Sequence, residues 1–148
     1  MIDIEYSMGW QTLRHLTAYA QQRGVKVISS SHNFSSTPSN HELQKLFADM
    51  KKSGADVVKL AVMPQNPRDV LRLTEVALNV SEIDGTVPVI AVSMGGMGVS
   101  SRITGEVFNS AITFAAVGNA SAPGQIDADS LDGMLIDLHR QLTDGKYA

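Results

Sequence analysis

Asp56-Val57-Val58-Lys59-Leu60-Ala61-Val62-Met63 is a short apolar run, rich in β-branched residues, with one lysine near its middle. It is followed by Asn66-Pro67, a cap and a first-turn proline, and then by Val70, Leu73, Ala77 and Val80 along one stripe. A buried strand leading into an amphipathic helix is the reading of that order. Side chains alternate between the faces of a strand, so Val58, Leu60 and Val62 are expected against helices. Val57, Lys59, Ala61 and Met63 are expected on the opposite face.

The same pairing recurs in both directions. Ile2 to Tyr6 precedes Trp10, Leu13, Leu16 and Ala20 at helical spacing, with Gly24 placed to end the helix. Val25 to Ser31 precedes the capping box Ser39-Asn40-His41-Glu42 and then Leu43, Leu46, Phe47 and Met50 on one face. Val87 to Met94 precedes a shorter helix, capped by Ser100 or Ser101 and carrying Ile103 and Val107. Ile112 to Gly118 is a fifth strand-like run, and Leu131, Leu135, Leu138 and Leu142 line a terminal helix. Strands alternating with helices predict a parallel α/β sheet with right-handed crossovers, in one domain over residues 1–148. A complete (β/α)8 barrel typically takes about 250 residues. Five units therefore predict a partial or open barrel, unless another chain completes it.

Composition narrows the function classes. A chain of 148 residues, 43% hydrophobic and 18% charged, suits one globular domain. A net charge of -3 without dense runs of either sign argues against a nucleic-acid partner. The absence of cysteine excludes disulfides, thiolate metal sites and a cysteine nucleophile, and it fits a reducing compartment. Apolar runs are strand-sized and no signal-like segment opens the chain, so the expectation is a cytoplasmic protein without a membrane partner.

Five side chains stand out as carriers of chemistry. Lys59 lies in an apolar strand, where burial favours the neutral amine that attacks a ketone to form an imine. The competing reading is a lysine at a sheet edge reaching solvent. His32 follows Ser29-Ser30-Ser31 at the C-terminal end of a strand, where parallel folds place their chemistry and where histidine exchanges protons near neutrality. His15, His41 and His139 lie in helices and are read as surface residues. Arg102 has the planar fork that pairs with a carboxylate. Ser121 and Gln125 belong to a small, polar loop, Gly118 to Gln125, that is either a lid or inert. Ser93 to Gly98 lacks the ending of a P-loop and the spacing of a dinucleotide fingerprint, and is read as a flexible turn. Asp3 and Glu5 share one face of the first strand, with Ile2, Ile4 and Tyr6 opposite.

Taken together, Ser31-His32-Asn33-Phe34, Lys59-Leu60-Ala61-Val62-Met63-Pro64, Ser100-Ser101-Arg102-Ile103-Thr104-Gly105-Glu106-Val107-Phe108 and Ser121-Ala122-Pro123-Gly124-Gln125 resemble type I 3-dehydroquinate dehydratases in order and spacing. The resemblance implies the C-terminal part of that family's (β/α)8 barrel. It further implies a lyase of the shikimate pathway, in aromatic amino acid biosynthesis, that turns 3-dehydroquinate into 3-dehydroshikimate. Lys59 would form the Schiff base and His32 would move the proton. Arg102 would bind the substrate carboxylate, with Ser121 and Gln125 closing over it. No metal or external cofactor is implied, and a homodimer is. The family's early strands supply a glutamate that bonds the catalytic histidine, and they have no counterpart here, which leaves Asp3 or Glu5 to orient His32. A Schiff-base class I aldolase and a non-catalytic, self-associating barrel fragment are the other two readings.

Overall fold

The computed structural model describes residues 1–83 and 85–144; residues 145–148 of the expected domain lie outside the described residues. Four strands, β1 (Ile2–Glu5), β2 (Val27–Asn33), β3 (Val57–Val62) and β4 (Val89–Ser93), form one parallel sheet in sequential order. The crossovers are α1 (Trp10–Gln21), α2 (Asn40–Lys52) and α3 (Pro67–Ile83). After β4 come a short α4 (Val99–Ile103) and a terminal α5 (Ala128–Thr143), with 3-10 turns at Tyr6–Met8, Gly96–Gly98 and Gly105–Phe108.

Alternation along β3 sorts the two faces as the pattern predicts. Val58, Leu60 and Val62 are buried with Leu43, Phe47 and Met50 of α2 and Leu73, Val76 and Ala77 of α3. Val57 and Ala61 point the other way, into a smaller apolar cluster with Ile28, Ile90, Val92 and Met94. α2 begins at the expected capping box: Ser39 Oγ accepts from the Glu42 backbone, and the Glu42 side chain accepts from Ser39. Below the sheet, Asp56 gathers Lys26 Nζ at 2.7 Å, Gln21 Nε2 at 3.0 Å and the Val27 N–H at 2.9 Å. Those donors, the lysine first, hold its carboxyl well below the usual range, at about 2.

Three expectations change. The run Ile112 to Gly118 forms no strand: Ser110 makes a single bridge to Val89, Ala111 N–H donates to Val89 O at 2.8 Å, and the ladder then stops. Ala116 makes one further isolated bridge, to Asp127, and among the described residues the sheet is four-stranded. Ser100 and Ser101 do not cap α4, which starts at Val99 with Gly98 before it. Ser101 instead accepts from the Ser93 N–H at 2.9 Å and donates to Gly98 O at 2.7 Å, and Val107 lies in a 3-10 turn facing solvent. Of the four leucines of α5, Leu131 alone is fully buried and Leu142 is exposed.

Candidate active site

The inner face of the sheet carries the polar side chains, and its register decides who meets whom. Glu5 pairs with Ser30, Ser30 with Lys59, and His32 with Ala61. Glu5 therefore lies within reach of the histidine one inward position further along β2. His32 Nδ1 is 2.6 Å from Glu5 Oε2, the His32 N–H donates to Glu5 Oε1 at 3.1 Å, and Ser30 Oγ donates to Glu5 Oε2 at 3.1 Å. A carboxylate on Nδ1 draws the proton of the neutral ring to that nitrogen and leaves the Nε2 lone pair as the basic one. Phe34 stacks on the imidazole, with centroids 5.9 Å apart and planes 10° from parallel. Of the two carboxylates expected to orient His32, Glu5 is the one that does.

Lys59 sits in β3 between β2 and β4, so the sheet-edge reading does not hold. Its side chain is only 12% exposed, but its surroundings are not simply apolar. Nζ is 3.1 Å from Asp3 Oδ2 and 4.7 Å from the centroid of Phe114, whose ring face also favours a cation. The expected bare amine in an apolar wall is instead half of an ion pair. Asp3 is thus a site residue that sequence reasoning placed on the right face and gave the wrong partner.

Arg102, in the last turn of α4, is buried, and its guanidinium donates to Phe114 O at 3.2 Å and to Pro123 O at 3.1 Å. Burial lowers its pKa from the ordinary arginine value, although an arginine of this kind stays charged. Among the described residues it has no acidic partner, and its Nε has no acceptor. A buried cation without a counter-ion is costly, so the position favours an incoming anion. The loop beyond is built around one amide: Gln125 Oε1 accepts from Ser121 N–H at 2.7 Å, Ser121 Oγ at 3.1 Å and Ala122 N–H at 3.2 Å. Its NH2 end makes no hydrogen bond among the described residues. The loop is tied down where Gly95 N–H donates to Pro123 O at 3.1 Å. Gly124, with φ at +75°, fits against Gly95 because a Cβ there would lie 2.3 Å from Gly95 O. The turn at 93–98 is tight rather than flexible, since a Cβ on Gly98 would lie 2.1 Å from Ser93 O.

All five expected residues line one cavity of about 260 Å³: His32, Lys59, Arg102, Ser121 and Gln125, with Phe114 between them. A larger cleft of about 590 Å³ lies between the 105–113 stretch and α5 and shares Arg102, but it lacks both Lys59 and His32. The smaller cavity holds the convergent base, amine and cation, and is the better candidate for chemistry. Among the described residues no group of three or more His, Asp or Glu side chains is arranged to hold a metal ion.

The sequence matches the family described as Type I 3-dehydroquinase over residues 1–141. A curated 3-dehydroquinate dehydratase of Clostridioides difficile is 43% identical over 142 residues, 96% of this chain and 56% of the relative. That of Salmonella paratyphi B is 44% identical over 140 residues, again 56% of the relative. The chain therefore spans about half the length of the curated relatives it matches. Among solved structures, the type I enzyme of Clostridium difficile, with covalently modified comenic acid, superposes with a TM-score of 0.90 at 44% identity, over 95% of this chain and 55% of that one. The 3-dehydroquinate dehydratase of Geobacillus kaustophilus superposes with a TM-score of 0.88 at 34% identity, over 93% of this chain and 52% of that one.

Proposed function

Because the chain belongs to the type I 3-dehydroquinase family, we propose that it carries the chemistry of a Schiff-base hydro-lyase that converts 3-dehydroquinate to 3-dehydroshikimate. The observation that carries this reading is the convergence of Lys59, His32 and Arg102 on one cavity, with a carboxylate already on the far nitrogen of the histidine.

Lys59 Nζ adds to the substrate ketone, and loss of water gives a protonated imine. Asp3, at 3.1 Å, is the counter-ion for the positive charge at this position. The iminium withdraws electrons from the neighbouring carbon, and His32 Nε2 takes its proton while Glu5 balances the imidazolium that forms. Electrons of the resulting enamine expel the β-hydroxyl, which leaves as water with the proton returned by His32. Hydrolysis of the imine then frees the product and restores the amine. Arg102 takes the substrate carboxylate in a bidentate pair, and Ser121 and the Gln125 amide close over it. Lysine and histidine supply every proton and the electron sink, so the scheme needs no metal and no organic cofactor.

In this proposal residues 1–148 are one domain, the C-terminal portion of the family barrel, working as a homodimer in the cytoplasm on a small carboxylated substrate. Among the described residues no helix is long and apolar enough to cross a membrane. The test is borohydride reduction in the presence of 3-dehydroquinate. A stable adduct is expected on Lys59 and is expected to disappear in Lys59→Ala; an adduct on another lysine would overturn the assignment.

A further inference from the structure

We propose that Gln65 is a positioning residue for His32: through the carbonyl of Ser35 it holds the Phe34 ring flat against the imidazole and so fixes the direction in which Nε2 points. The inference rests on the proposed role of His32 as the base and deepens it. A carboxylate on Nδ1 fixes one atom of the imidazole, but the torsion that turns such a ring is broad, so that bond alone leaves the plane free to rock. The stack with Phe34, its plane 10° from parallel, supplies the missing constraint.

Phe34 has no core to hold it, being 65% exposed. It lines the cavity of Lys59 on one side and a groove with Glu5, Ser7 and His32 on the other. An exposed aromatic side chain keeps one place only if the backbone that carries it is held. Here that backbone is an arch with both feet on one residue. Met63 N–H donates to Asn33 O at 2.9 Å, and Thr37 Oγ1 donates to Met63 O at 3.1 Å. Between the feet, Asn33 Oδ1 accepts from the N–H groups of Ser35 and Ser36, each at 3.0 Å, and from Ser35 Oγ at 2.9 Å, which folds the arch from within.

At the crest, Gln65 Nε2 donates to Ser35 O at 2.7 Å. Among the described residues this is the one hydrogen bond that ties residues 34–36 to another part of the chain. Gln65 is anchored in turn. Its N–H donates to Asp69 Oδ2 at 2.8 Å, and Asp69, buried in the first turn of α3, is paired with Arg72 at 2.8 Å. The relay thus runs from α3 through Gln65 to Ser35, Phe34 and the imidazole. β3 carries Lys59 in its ladder and is followed directly by Met63, so the amine and the footing of the ring that aims the base share the placement of one strand.

Two substitutions separate the donor from the bulk of the side chain. Gln65→Met keeps the reach and loses the donor, whereas Gln65→Lys keeps a donor on a flexible stem. In the 148-residue chain with labelled phenylalanine and histidine, a nuclear Overhauser contact between the Phe34 and His32 rings is expected, with Phe34→Leu identifying the cross-peak. It should be lost in Gln65→Met and kept in Gln65→Lys. Gln65 is exposed, so both variants should melt with the parent. With 3-dehydroquinate, Gln65→Met should lower kcat by about fivefold, the population change that one ordinary hydrogen bond commands, and leave KM unchanged. Gln65→Lys should turn over like the parent. A ring contact that persists in Gln65→Met would overturn the inference, and so would its loss with kcat unchanged. A parent chain that neither turns over 3-dehydroquinate nor traps it on Lys59 would overturn the proposed function instead, and the ring contact would then decide by itself whether Gln65 holds Phe34 in place.

Discussion

The cavity has two walls, and they are built differently. On one side Lys59, His32, Glu5 and Asp3 stand on adjacent strands, their spacing set by the ladder register. On the other side Arg102, Ser121 and Gln125 stand on a five-residue helix and a loop, held by hydrogen bonds to backbone carbonyls and to one another. The strand wall positions groups that exchange protons and form bonds, where small displacements are costly. The loop wall holds groups that need only recognise a charge. Ladder register sets the side where the chemistry is proposed, and hydrogen bonds to side chains and carbonyls set the side where the substrate is to be gripped.

Substitutions separate the two walls by what they change. His32→Ala should lower turnover by about 10²–10⁴-fold, the usual range for a lost general base. Borohydride trapping on Lys59 should persist in that variant, since the imine forms before the base acts; unchanged turnover would remove His32 from the mechanism. Glu5→Gln keeps the shape of the strand wall and removes the balancing charge, so turnover should fall by about tenfold or more with KM little changed. A rise in KM alone would put Glu5 with the gripping wall instead. Arg102→Lys keeps the charge and loses the fork, and should raise KM by roughly tenfold with a small change in kcat, as steady-state kinetics with 3-dehydroquinate would report.

The smallest effect lies outside both walls, on the anchor beneath the strands. Asp56 has a folded pKa of about 2, below its unfolded value, so its stabilisation is present above the unfolded carboxylate range and is lost as pH falls through about 2. Asp56→Asn should therefore lower the melting temperature near neutrality, and the difference from the parent should close on acidification. A difference that widened in acid would contradict the assigned sign.

The strand wall was largely legible in the sequence. Alternation alone places Lys59 opposite Leu60 and puts Asp3 and Glu5 on one face, because a strand has only two faces to choose from. What alternation leaves open is register, and register is why Glu5 belongs to His32 and Asp3 to Lys59. The loop wall was legible only through resemblance. Nothing in the order of residues from 118 to 125 announces that one glutamine amide would organise the turn, or that two backbone carbonyls would hold Arg102. The fifth strand failed for a related reason: Ile112 and Phe114 have strand-like composition and do pack inward, but the segment makes only isolated bridges among the described residues, and composition does not say whether a ladder forms. Ser101 misled in the same way, since a hydroxyl that reads as a helix cap serves instead to hook α4 onto the end of β4.

That hook bears on any effort to redesign the pocket for other acids. With the Ser93 carbonyl occupying the space where Gly98 would carry a Cβ, α4 cannot slide along the strand to follow a longer or shorter substrate. Libraries that mutate position 98 would be spent on broken folds. Changes in reach would have to come from the exposed side chain at 121, since the Gln125 amide holds the loop together.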